Sequence, residues 1–119
     1  MQDFKKLLVW QKAFEFVPVC YKHTASFPPD ERYILTSQLK RAVLSISNNI
    51  AEGCGRFSQN DLAHFLQIAL GSTTEVENLI LVAQALGYLN DDAFDQLNTL
   101  NMEIRKMLIS LIYKIRELK

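Results

Sequence analysis

The sequence predicts an all-α fold, an antiparallel up-and-down four-helix bundle. Three observations predict it: apolar residues recur at intervals of three and four rather than two, strong chain punctuation falls at only three places, and the segments between are long. Those segments run about 8–24, 30–53, 59–86 and 91–118, and the short connections between them make each helix turn back along its predecessor. At 119 residues the chain has the size of one domain, 1–119, with one core.

The first helix places Trp10, Phe14, Val17 and Tyr21 on one stripe, which is the expected core face. Pro18 removes a backbone donor inside it, so a kink or an early weakening is expected. Phe27-Pro28-Pro29 stops this helix. Pro29-Asp30-Glu31 starts the next, with a fixed φ and acidic side chains at the positive end of the helix dipole.

The second helix turns Leu35, Leu39, Ala42, Val43, Ile46 and Ile50 inward and closes at Gly53 and Gly55. Ser58 is a natural N-cap for the third, with Asp61 at its third position, and Leu62, Phe65, Leu66, Ala69, Val76, Leu79, Ile80 and Ala83 continue to a stop at Gly87. Gly71 interrupts that helix. A glycine there costs about 1 kcal/mol against alanine, so close approach of a neighbouring helix is its expected purpose. Asn90, Asp91 and Asp92 open the fourth helix, whose stripe is Leu97, Leu100, Ile104, Leu108, Leu111, Ile115 and Leu118.

Two helices carry more apolar surface than one bundle needs. Met102, Ile109 and Tyr113 gather outside the core sector of the fourth helix, and Val9, Phe16 and Cys20 lie away from the Trp10 stripe on the first. These six are the expected oligomer-interface residues, because a contiguous exposed apolar patch marks an interface. Scattered surface apolar residues are the ordinary alternative.

Hydrophobic residues make up 49% and charged residues 22%, a globular balance, and no apolar run approaches the roughly 20 residues that cross a bilayer. The start, with Asp3, Lys5 and Lys6, does not read as a secretory signal, so a cytoplasmic protein without membrane contact is expected. Net charge is zero but uneven: residues 1–56 carry +3, 57–95 carry −6 without a single Lys or Arg, and 96–119 carry +3. Either these charges offset one another inside the fold, or the molecule has a basic and an acidic side.

Catalytic constellations are absent from the pattern. Cys20 and His23 sit at i, i+3, and Cys54 and His64 near one turn, yet a bundle puts the two pairs about 30 Å apart, which disfavours one zinc site. Asp61-x-x-His64 is the lone acid-x-x-His pair where a di-iron bundle needs two. Cys54 lacks a third group to orient His64 as its base, and no phosphate-binding glycine loop occurs. No catalytic residue, cofactor, metal or small-molecule substrate is expected.

Polar residues Arg41, Ser45, Asn48, Asn49, Glu52 and Arg56 run beside the apolar stripe of the second helix. An antiparallel hairpin sets Arg41 level with Glu75 and Asn49 with Phe65, predicting an Arg41–Glu75 contact that holds the register. Structural hydrogen bonding and direct ligand contact both remain open for this set.

Leu8-Val9-Trp10-Gln11-Lys12-Ala13, Phe27-Pro28 before Glu31-Arg32-Tyr33, the Leu35–Arg41 stretch, Asn48-Asn49-Ile50-Ala51-Glu52-Gly53, Gly55-Arg56, Phe65-Leu66-Gln67-Ile68-Ala69, and Gly71-Ser72 with Glu75 together form a specific pattern. Over nearly the whole chain it resembles the bacterial 23S rRNA-intervening sequence proteins. The resemblance implies a small four-helix bundle that assembles into homopentameric rings. The accessory proteins of diversity-generating retroelements are similar in fold and are strongly basic partners of reverse transcriptase and nucleic acid, whereas this chain is neutral.

The expected function is therefore a non-enzymatic homo-oligomer, a pentamer by resemblance, acting as an adaptor that binds RNA or DNA through cations gathered by the ring. Lys12, Lys40, Arg41, Arg56, Arg105 and Lys106 are the candidates. The alternative is a structural or protein-binding oligomer, its acidic third helix against a basic partner, with no nucleic-acid contact.

Overall fold

Four α-helices fill most of residues 1–117, the part that this computed structural model describes: α1 Leu8–Thr24, α2 Leu35–Cys54, α3 Gln59–Ala85 and α4 Asp91–Glu117. Leu118, counted in the predicted α4 stripe, lies outside the described residues. Contacts between helices run in opposite directions along the chain. Ser45 bonds Ser72 while Gly53 meets Phe65, and Lys12 pairs with Glu103 while His23 bonds Gln96. Helices α2 and α3 therefore lie antiparallel, and α4 closes antiparallel against α1.

The predicted punctuation is built as local chemistry requires. The Ser58 hydroxyl accepts from the Asp61 N–H at 3.0 Å, and the Asn90 side chain accepts from the Ala93 N–H at 2.8 Å, each satisfying a helix-start donor. Gly87 adopts φ 81°, a left-handed conformation suited to glycine, just beyond the end of α3. Helix α1 passes through Pro18 and ends at Thr24, so the proline does not shorten it.

The second helix starts later than expected. Pro29–Glu31 forms a single 3-10 turn, Ile34 departs from helical geometry at φ −118° and ψ −97°, and α2 begins at Leu35. The reason lies across the bundle: the Tyr88 hydroxyl donates to Glu31 Oε2 at 2.8 Å, and its ring packs on Phe27 with centroids 5.6 Å apart. These contacts tie the turn to the far end of α3, and the chain must change direction before α2 can seat Leu35.

The α1 core face is the reverse of the predicted one. Val9, Ala13, Phe16, Cys20 and Thr24 are buried, whereas Phe14 is 58% exposed. The expected interface residues Val9, Phe16 and Cys20 are thus core residues. The buried stripe contains three small side chains, which let α1 approach its neighbours closely around one large ring, Phe16. On α4 the buried set is Leu97, Asn101, Ile104, Leu108, Ile112 and Ile115, with Leu100 and Leu111 half-buried at its border.

The predicted α2 face is buried without exception, and so is the α3 face except for half-buried Phe65. The close helix approach assigned to Gly71 occurs elsewhere. A Cβ at Gly71 would meet nothing within 4 Å, while one at Gly53 would lie 2.9 Å from the Phe65 Cβ. Arg41 and Glu75 are both exposed, and the predicted contact is not among the ion pairs of the described residues. Two short hydroxyl side chains make the tie near this level: Ser45 and Ser72 lie 2.9 Å apart, and Asn49 Nδ2 donates to the Ser45 carbonyl at 2.8 Å.

Candidate functional site

The outward-turned α1 stripe forms one wall of a groove with α2. Phe4, Trp10, Phe14, Val17 and Pro18 face Leu44, Ser47, Asn48 and Ala51 across a space of about 410 Å³. Its aromatics support one another: Phe4 meets Trp10 edge-on at 5.0 Å, and Trp10 stacks on Phe14 at 4.8 Å. Such packing holds Phe14 in place although it is 58% exposed, and Leu44 across the groove is 37% exposed. Apolar surface held in water is the property that association removes.

Large apolar side chains are also exposed along α3 and at its C-terminal cap. Ile68, Leu81, Val82 and Leu86 are all exposed, and Glu75 and the bare backbone of Gly71 lie among them in sequence. The two surfaces differ in charge. Residues 57–95 contain six carboxylates and no Lys or Arg, whereas Lys40 and Arg41 stand on α2 beside Leu44 in sequence.

The predicted cations are dispersed on the single chain. The Lys12 ammonium lies 3.2 Å from Glu103, between α1 and α4, and Arg105 donates to Thr74 Oγ1 at 2.7 Å, between α4 and α3. Arg56 stands over the Phe65 ring at 4.7 Å near the α2–α3 turn, and Lys40 over the Tyr21 ring at 4.6 Å between α2 and α1. Arg41 is exposed on α2, and Lys106 borders a shallow apolar cleft with Leu7, Leu8 and Met107. These contacts spread the cations over the α1–α4, α3–α4, α2–α3 and α1–α2 edges of one protomer.

Of the predicted α4 interface residues, Met102 and Ile109 are half-buried and Tyr113 is 66% exposed. Sequence reasoning missed the exposure of Phe14, and it missed Arg32 and Tyr33, which lie beside Lys40 in a cleft at the start of α2. The small residues Ala13, Cys20 and Thr24 on the other α1 stripe were the available signal, because small side chains suit a tight helix contact.

The two cysteines are buried thiols. Burial pushes the Cys20 thiol up to about 12 and raises Cys54, so both hold their proton at neutral pH, the form that is a poor nucleophile. His64 packs edge-on against Phe65. No group of three or more metal-ligating side chains occurs among the described residues, and none of their helices is long and apolar enough to cross a membrane.

The family described as 23S rRNA-intervening sequence protein matches residues 5–110. Among solved structures, a protein of unknown function from the S23 ribosomal protein family of Bacteroides thetaiotaomicron is similar over 89% of this chain and 96% of its own. The two share 26% identity at a TM-score of 0.81. No curated protein matches the chain.

Proposed function

Because the chain belongs to the 23S rRNA-intervening sequence protein family, we propose that it works as a non-enzymatic homo-oligomer, a ring of five as the resemblance implies. The observation that carries this reading is the aromatic groove between α1 and α2, with Phe14 58% exposed beside a stacked Trp10. The outward α3 surface of a second copy is its occupant. It offers exposed Ile68, Leu81 and Val82 to the apolar wall, and an acidic segment to the side of Lys40 and Arg41.

Two different surfaces that fit one another make a head-to-tail contact, which closes into a ring when the rotation allows. Repetition then multiplies any weak binding surface around the ring. Light scattering on the purified protein tests the reading. A mass five times the 13.7 kDa chain mass is expected, falling toward one chain on Phe14→Asp or Leu81→Asp. A monomeric wild type at micromolar concentration overturns it. An oligomer that binds no nucleic acid and captures a basic protein through Glu75 would favour the protein-binding alternative.

A further inference from the structure

We propose that the cleft at the start of α2 takes a nucleotide unit of single-stranded nucleic acid, its phosphate against Arg32 and Lys40 and its base against the Tyr33 ring. The cleft, about 650 Å³, lies within the usual size of a small-ligand site and is lined by Arg32, Tyr33, Thr36, Ser37 and Lys40 over a floor that includes buried Phe27. No carboxylate is among its lining residues. Asp30 is exposed on the preceding turn, and Glu31 is engaged by the Tyr88 hydroxyl.

The residue types match this ligand in two respects. Tyr33 is 84% exposed, with the Arg32 guanidinium 5.9 Å from its ring centre, so a ring and a cation stand together where a base can stack beside its own phosphate. Lys40, which lines the cleft and sits over the Tyr21 ring at 4.6 Å, adds a second cation, and the Thr36 and Ser37 hydroxyls supply neutral donors. A base-paired duplex presents phosphates but hides its base faces, so the ring selects an unpaired strand. Of the cleft residues only Lys40 also borders the proposed self-association surface, while Arg32 and Tyr33 lie outside it, so the inference does not require the ring.

The test is fluorescence anisotropy with a labelled thymidylate or uridylate oligomer, the matching duplex, and unlabelled uridine monophosphate as competitor. The single strand should bind, Tyr33→Ala should weaken it about tenfold, and Lys40→Gln should lower the salt slope by about 0.7 while Lys40→Arg keeps it. Competition by the mononucleotide at comparable concentration identifies a free nucleotide as a sufficient source, and oligomer-only binding identifies the strand. Absence of binding at about 100 µM protein, or equal duplex binding untouched by Tyr33→Ala, overturns the proposal. Tyr33 is too exposed for its loss to unfold the chain, and scattering mass and circular dichroism on the variants check this. Phe14→Asp, which should break the ring, leaves the cleft intact, so failure of one reading is separable from failure of the other.

Discussion

Asn101 reaches from α4 to α3 inside the core, where its side-chain amide donates to the Thr73 carbonyl at 2.8 Å while both residues are 0% exposed. Its Oδ1 has no hydrogen-bond partner, and neither does Oδ1 of Asn98 one turn earlier. A polar contact amid apolar layers favours one α3–α4 register over slipped ones, at the cost of an unsatisfied acceptor. Asn101→Leu should change stability by no more than about 1.5 kcal/mol, because it removes that acceptor together with the bond. Asn101→Asp should cost about 3 kcal/mol or more by burying a charge. Urea denaturation measures both, and a mild Asn101→Asp would contradict the buried position.

Phe14 and Phe16 stand two residues apart and meet opposite environments, 58% and 1% exposed. Phe16→Ala should lower stability by about 3–5 kcal/mol through the lost burial and the cavity left behind. In the dissociated chain, Phe14→Ser should cost about 0.5 kcal/mol or less. Equal costs in dilute protein would reverse the assignment of the two α1 faces.

Gly53 and Gly71 should respond to alanine with opposite signs. At Gly53 the new methyl meets the Phe65 Cβ at 2.9 Å and Leu62 Cδ1 at 3.1 Å, so overpacking of about 1–3 kcal/mol outweighs the gain of about 1 kcal/mol in helix propensity. At Gly71 nothing lies within 4 Å, so the propensity gain stands alone and the monomer should be stabilised by about 1 kcal/mol. Thermal melts of the two variants in dilute protein decide the matter.

Cys20 makes stability depend on alkaline pH. Burial raises its folded value from 9.0 to about 12, so between these limits the unfolded chain loses a proton that the folded chain keeps. The contribution is fully present below pH 9.0 and is lost as pH rises toward 12, by up to about 1.4 kcal/mol per unit. Cys20→Ala should flatten this slope. Native protein should also react slowly with a thiol reagent at pH 8, with both cysteines becoming reactive in denaturant.

Element ends were legible because each depends on neighbours in sequence. Ser58 and Asn90 cap through bonds three residues long, and Gly87 supplies a left-handed turn wherever the helix before it packs. The α2 face was legible for a related reason: its apolar stripe has a clearly polar opposite side, in Gln38, Arg41, Asn48 and Glu52. The late start of α2 was not, since the Tyr88–Glu31 bond that delays it joins residues 57 positions apart. The cleft of Arg32, Tyr33 and Lys40 likewise exists only once the Pro28-Pro29 corner folds against the end of α1.

The sequence by itself therefore determined a chain of four helices, their ends apart from the start of α2, and an excess of apolar surface. Only the tertiary structure decided which apolar stripe of α1 is spare. Val9-Ala13-Phe16-Cys20 and Trp10-Phe14-Val17-Tyr21 share the same helical period and are both apolar, so periodicity cannot choose between them. The choice follows from volume. The interior admits the stripe whose small members let α2 and α4 close around Phe16, while Trp10 is left half-buried at the border and Phe14 58% exposed.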